Sequence, residues 1–204
     1  MAWRFLIFFG AFLLAGWLML GVVRMRGPFA PALLPVLRQC GGFGVTNQLG
    51  GRVTEQELHG RPWAVNLIFT RCPGPCLQLS ATMKRIQASL PPSSRAGLMS
   101  ITSDPEYDVP SVLKAYAEKV GAHTNRWQFV TGAKAEVRRL AVEELLLVLV
   151  DKAEEARSSP EDLFLHSTLI VVLDGQGRLR TAVEGLEVGA VEKVVAALGQ
   201  LEKE

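Results

Sequence analysis

Trp63-Ala-Val-Asn-Leu-Ile-Phe69-Thr-Arg-Cys72-Pro-Gly-Pro-Cys76-Leu-Gln-Leu79 is the stretch whose reading decides the fold. Its first seven residues are apolar and β-prone, which predicts a buried central strand. Beyond the cysteines, Leu79, Met83, Ile86 and Leu90 recur at helical spacing, and Pro91-Pro92 stops that helix. The two thiols therefore sit where a strand feeds a helix. Pro75 suits the first helical position because its missing N–H would be unpaired there anyway. If Cys76 lies in the first turn and Cys72 just before it, both sulfurs share one side. The unpaired N–H groups and dipole of the helix mouth favour thiolate over thiol, and Arg71 adds positive charge nearby. Thiolate is both the attacking species in disulfide exchange and the ligand of soft metals, so acidity alone does not separate those uses. Spacing is more telling: thiol–disulfide oxidoreductases typically place two residues between their cysteines, and here there are three. A disulfide that merely staples a loop is the plainer alternative.

Working outward, residues 45–54 predict a hairpin turning at Gly50-Gly51, and residues 97–102 and 127–130 predict further strands. Helices are predicted over 110–120 and from 133 through 140, and a closing amphipathic helix over 191–201. Residues 167–173 form a β-branched strand that turns at Asp174-Gly175 and pairs back through 179–183. Residues 143–158 fit two patterns, a strand at 145–150 or a solvated helix face at 151–157. Strands alternating with helices, then a hairpin and a helix, describe an α/β, thioredoxin-like sandwich with an N-terminal hairpin.

Residues 5–23 carry no charge and, as a helix, rise roughly 28 Å, about the thickness of a bilayer core. The run ends in Val23-Arg-Met-Arg26 with no small-residue cleavage site, so a single uncleaved transmembrane anchor is expected rather than a signal peptide. The expected organisation is a membrane anchor over 1–26, a proline-stiffened linker over 27–42, and a globular domain over 43–204. Arg4 on one side and Arg24 and Arg26 on the other leave the positive-inside count nearly balanced. Without those three, 19 basic residues face 20 acidic ones, a balance that argues against a nucleic-acid partner. Cys40 has no partner by spacing and reads as a bystander.

Of three histidines, His59 and His123 fall in polar loops, whereas His166 immediately precedes the 167–173 strand. In thioredoxin-like folds that position faces the helix-mouth cysteines, normally with a cis-proline that this chain lacks. Two thiolates and an imidazole form a donor set suited to copper. Zinc accepts the same donors, but a structural zinc site wants a fourth protein ligand, for which only Asp104 is a neighbour.

At these residues the chain closely resembles the Sco/SenC family of copper-binding proteins. The matching pieces are Thr46-Asn-Gln48, Phe69-Thr-Arg-Cys-Pro-Gly-Pro-Cys76, Ser100-Ile-Thr-Ser-Asp-Pro-Glu106, Tyr116-Ala117 and Leu165-His-Ser167, in the family's order. Residues 144–160 depart from it. The resemblance implies copper held by Cys72, Cys76 and His166, and a metallochaperone role in assembling the binuclear copper centre of cytochrome c oxidase. Its implied partners are the copper-bearing subunit of the apo-oxidase and a thiol reductant or copper donor. It also implies a single-pass protein of the cell inner membrane with its soluble domain on the periplasmic or extracytoplasmic side. The alternative is a thiol–disulfide reductase, with Cys72 attacking and Cys76 resolving. A peroxidase is disfavoured, because Thr70-Arg-Cys72 is one residue short of the Thr-x-x-Cys setting.

Overall fold

A computed structural model describes residues 33–72, 74–159 and 162–204. The expected anchor and the first part of the linker lie outside the described residues. Among the described residues, no helix is long and apolar enough to cross a membrane.

Residues Leu34–Glu204 form one compact unit. Its strands are β1 (Arg38–Gln39), β2 (Gly44–Asn47), β3 (Arg52–Thr54), β4 (Trp63–Ile68), β5 (Gly97–Thr102), β6 (Trp127–Thr131), β7 (Leu149–Asp151), β8 (Phe164–His166), β9 (Leu169–Leu173) and β10 (Arg178–Glu184). Eight of them make one mixed sheet in the order β1-β10-β9-β4-β5-β6-β2-β3, while β7 and β8 form a separate hairpin. Strands β4, β5 and β6 are parallel, and β9 runs antiparallel to β4. The helices are α1 (Pro75–Ser89), α2 (Pro110–Val120), α3 (Lys134–Arg138) and α4 (Ala190–Leu201).

Every residue of β4 is buried, as expected of a strand covered on both faces. Side chains alternate: Ala64 and Ile68 join the core under α1, α2 and α4, whereas Trp63, Val65 and Leu67 join the core on the other face. Asn66 is buried among them because Ser100 Oγ donates to its Oδ1 at 2.7 Å, and Trp127 Nε1 donates to Ser100 Oγ at 3.0 Å. One polar chain thus ties three strands together without an unmet group. Between α1 and α2, the buried hydroxyls of Ser80 and Tyr116 hydrogen-bond at 2.9 Å.

The sequence-based outline holds for the N-terminal hairpin, the helix after the cysteines and the closing hairpin and helix. Three details differ. Residues 34–42, assigned by composition to the linker, pack on the domain: β1 pairs with β10, Cys40 is buried, and Arg180 donates to the carbonyls of Leu34 and Pro35. The helix after β6 does not stop near residue 140 but widens into a π-turn over Arg139–Glu144. The chain then reverses at Leu146, whose φ of 57° is rare for a residue with a Cβ. In the ambiguous 143–158 stretch the strand expected at 145–150 forms only as β7 over Leu149–Asp151, which finds partners in His166, Leu165 and Phe164, and the expected helix face at 151–157 is reduced to a single exposed turn over Glu154–Ala156.

Gly185 follows β10 and leaves no room for a side chain. An added Cβ would lie 2.7 Å from the Thr168 carbonyl oxygen and strike the Leu79 side chain. Gly185→Ala is expected to destabilise the protein by about 1–3 kcal/mol, as over-packing of a close-packed interior does. A shift of the urea midpoint with unchanged m-value checks this.

Candidate metal centre

Strand β4 ends at Ile68, and the chain then carries Cys72 across to α1, capped by Gly74 and opened by Pro75. Cys76 falls in the first helical turn and is fully buried; Cys72 is 8 % exposed and lines a cleft of about 330 Å³ with Phe69, Phe164 and His166. The loop is pinned from below. Asp108, itself buried, accepts hydrogen bonds from the Thr70 backbone N–H, the Thr70 hydroxyl and the Thr102 hydroxyl. Burial raises the Asp108 pKa, and these hydrogen bonds oppose the rise.

His166 arrives from the far side as the last residue of β8, placed by its pairing with Leu149. Phe69 meets its ring edge-on at 5.8 Å between centroids. The Ser167 carbonyl oxygen lies 3.1 Å from Nδ1. A carbonyl only accepts, so Nδ1 donates to it, and Nε2 is the ring nitrogen turned to the sulfurs, the atom that would ligate a metal once it carries no proton. Nε2 is 3.1 Å from Cys76 Sγ. One ligand atom each from Cys72, Cys76 and His166 all lie within 4.8 Å of one another, and all three cysteines of the chain are free thiols.

The two thiols share their protons unequally. Hydrogen bonding from Cys76, against the opposing effect of burial and with help from His166 and the Gly74 and Cys76 amides, lowers the Cys72 pKa to about 4. Cys76 is pushed up, first by that same hydrogen bond and then by burial and the Cys72 charge. The opposite directions of the two shifts favour thiolate at Cys72 and thiol at Cys76, and a cation that binds both sulfurs must displace any proton they hold. A depressed pKa means the thiolate persists until pH falls through its folded value. Alkylation of Cys72 by iodoacetamide in the reduced, metal-free protein is therefore expected to stay level from pH 8 to about 5 and decline near pH 4. An ordinary thiol, with a pKa near 9.0, would lose about tenfold per unit over that range. Mass-spectrometric rates at each thiol check it, and tenfold-per-unit decline at Cys72 would contradict the assignment.

Other residues singled out from sequence go elsewhere. Arg71 does not charge the thiol pair; its guanidinium binds the nearly buried Asp104 carboxylate and stacks on Tyr107 at 4.1 Å. Asp104 is thereby committed to an ion pair and does not join the three-residue group. Cys40 is buried, donates to the Glu144 carbonyl at 3.1 Å, and has its pKa raised to about 11 by burial and the Glu144 charge, so it is inert. His59 and His123 are exposed and apart from the cluster. Sequence reasoning missed the Asp108 clamp and the Ser167 carbonyl. It also missed the aromatic wall of Phe69 and Phe164, whose centroids are 5.3 Å apart. The apolar run at 145–150 was the available signal for the hairpin that carries Phe164 and His166.

A thioredoxin-like sandwich with two thiols at a helix mouth and an imidazole facing them defines a class of thiol-based metal or redox proteins. The family model described as SCO1/SenC matches residues 36–201, and the chain belongs to that family. It is 27% identical over 147 residues to a SCO1 protein homolog of Bacillus subtilis, covering 71% of this chain and 73% of that one. A SCO1/SenC family lipoprotein of Bacillus anthracis superposes with a TM-score of 0.71 at 24% identity, covering 83% of this chain and 99% of that one. Bradyrhizobium japonicum ScoI, solved with copper bound, superposes with a TM-score of 0.62 at 21% identity, covering 80% and 99%.

Proposed function

We propose that this chain is a copper carrier, tethered to the cell inner membrane by residues 5–23 with its folded domain on the extracytoplasmic side. Copper is held by the Cys72 and Cys76 sulfurs and His166 Nε2, then passed by ligand exchange to the copper-bearing subunit of apo cytochrome c oxidase. The observation that carries this reading is the convergence of the three ligand atoms within 4.8 Å. Two soft sulfurs and an imidazole match monovalent copper. Among the described residues no fourth ligand completes a closed structural site, since Asp104 is held by Arg71. Three donors leave a position through which a partner's ligand enters as the metal leaves. Support also comes from the relative in Bradyrhizobium japonicum that carries copper.

The test is Cu(I) titration of the anaerobically reduced protein. One equivalent per chain is expected, with affinity reduced about 100-fold in His166→Ala, roughly one ligand's share of a protein–metal site. Unchanged affinity in that variant would remove the imidazole from the site.

A second reading rests on the acidic, cleft-lining Cys72 beside a protonated Cys76. Cys72 thiolate would attack a partner's disulfide, expelling one partner thiolate. Cys76, losing its proton, would then attack the mixed disulfide and leave the partner fully reduced and this chain oxidised. The roles are compatible, because the pair must be reduced before copper loads. The pair's reduction potential and its rate with a peptide disulfide measure how much of this activity is present.

A further inference from the structure

A second cluster of charge lies at the end of the sheet remote from the thiols. Because β4, β5 and β6 are parallel, the loop bearing Cys72 leaves their C-terminal end, and the residues that precede each strand gather at the other. Arg61 precedes β4, Arg95 precedes β5 and Arg126 precedes β6. With His59, Ser94 and Asn125 they line a cleft of about 340 Å³; no carboxylate is among its lining residues, and the adjacent Glu202 carboxylate is taken up by the Ser94 hydroxyl and the Arg95 and Ala96 backbone N–H groups rather than by the guanidiniums. Among the described residues, none of these three guanidiniums takes part in an ion pair.

The cluster is under-satisfied as it stands. Arg126 Nη2 donates to the Ser94 carbonyl at 2.9 Å, but its Nη1 is buried without a hydrogen-bond partner. The Arg61 guanidinium is fixed over the ring of the fully buried Trp63, 4.1 Å from its centre. Burial and then the Arg126 charge make Arg61 easier to deprotonate than an ordinary arginine. A buried N–H without an acceptor and two like charges in one cleft both cost stability, and a bound anion relieves both. Several guanidinium forks arriving from different loops suit an anion with three or four acceptor oxygens better than a two-oxygen carboxylate.

We propose that the cleft between Arg61, Arg95 and Arg126 binds a phosphate-class oxyanion, either free or as the phosphodiester of a lipid headgroup. The site is separate from the thiol cluster and does not depend on the copper reading.

Calorimetric titration of the full chain in neutral detergent with inorganic phosphate, at ionic strength fixed by chloride, tests it. Saturable binding is expected, weakened at least tenfold in the double variant Arg61→Gln/Arg126→Gln. Arg95→Gln, at an exposed position that does not threaten folding, is expected to weaken it several-fold, while Arg52→Gln on β3 leaves it unchanged. In a second arm phosphatidylglycerol is mixed into the micelles. Competition with phosphate, or headgroup binding alone, identifies the lipid as a source, and binding of inorganic phosphate alone identifies the free anion. Absence of saturable binding to both probes overturns the proposal. So does wild-type affinity in Arg95→Gln together with a folded double variant.

Discussion

Cys76→Ser is expected to weaken Cu(I) binding by about 10²- to 10³-fold, the largest functional effect of a near-isosteric change in this protein. A hydroxyl stays protonated where a thiolate forms and is a poor ligand for a soft monovalent ion. Cys76 is fully buried at the first turn of α1, so neither solvent nor a neighbouring side chain can take its place. Four-ligand structural zinc sites total about 10–16 kcal/mol, and taking one ligand's share from that scale as a guide gives a loss of about 3 kcal/mol or more. Competition against a chromophoric Cu(I) chelator measures it, with far-UV circular dichroism confirming the fold. An affinity within a few-fold of wild type would exclude the Cys76 sulfur from the site. Cys76→Ala, which has no side-chain donor, removes the main hydrogen bond holding the Cys72 pKa down, so its alkylation profile should move to higher pH.

The largest effect on stability is expected far from the thiols. Asp174, at the turn between β9 and β10, accepts from the backbone N–H groups of Gln176 and Arg178 and from the guanidiniums of Arg178 and Arg180. Arg180 is 4 % exposed and also binds Glu204, and it donates to the carbonyls of Leu34 and Pro35. Asp174→Ala leaves a buried guanidinium short of its counter-charge and two turn amides unpaired. Breaking a buried pair from one side typically costs about 3–5 kcal/mol, which for a unit of this size is a fall of about 6–20 °C in Tm. Burial opposes ionisation of Asp174, but its hydrogen bonds outweigh it and its pKa is lowered. Its contribution is therefore complete above the ordinary carboxylate range and is lost as pH falls through the lowered value. Calorimetric melting of both proteins at pH 7 and below pH 4 checks this: the difference should narrow in acid. A difference under 1 kcal/mol at pH 7 would mean that the network contributes specificity of fold rather than stability.

Much of the fold is written in local patterns. The doubly buried strand β4 reads as an unbroken apolar run, α1 as a 3.6-residue repeat bounded by Pro75 and Pro91, and β9–β10 as β-branched segments about a turn. Each follows from periodicities that tertiary contacts here reinforce. Residues 34–42 misled because they continue from the proline-rich 28–35 stretch, and composition describes an isolated chain, whereas the edge of β10 and the Arg180 guanidinium supply partners for that backbone. Residues 143–158 were undecidable for a related reason: apolar Leu149 and exposed Val150 commit to a strand only once Phe164–His166 lies alongside.

The sequence by itself determined the thiol pair, its place between strand and helix, and the histidine worth watching, because spacing and helix capping are local properties of the chain. Only the tertiary structure decided that His166 Nε2 reaches the sulfurs, that Arg71 and Asp104 neutralise each other, and that burial and hydrogen bonding favour thiolate at Cys72 over Cys76. Those outcomes depend on distances of 3–5 Å between residues up to 90 positions apart. Coulombic and hydrogen-bonding energies vary so steeply over that range that no linear pattern encodes them.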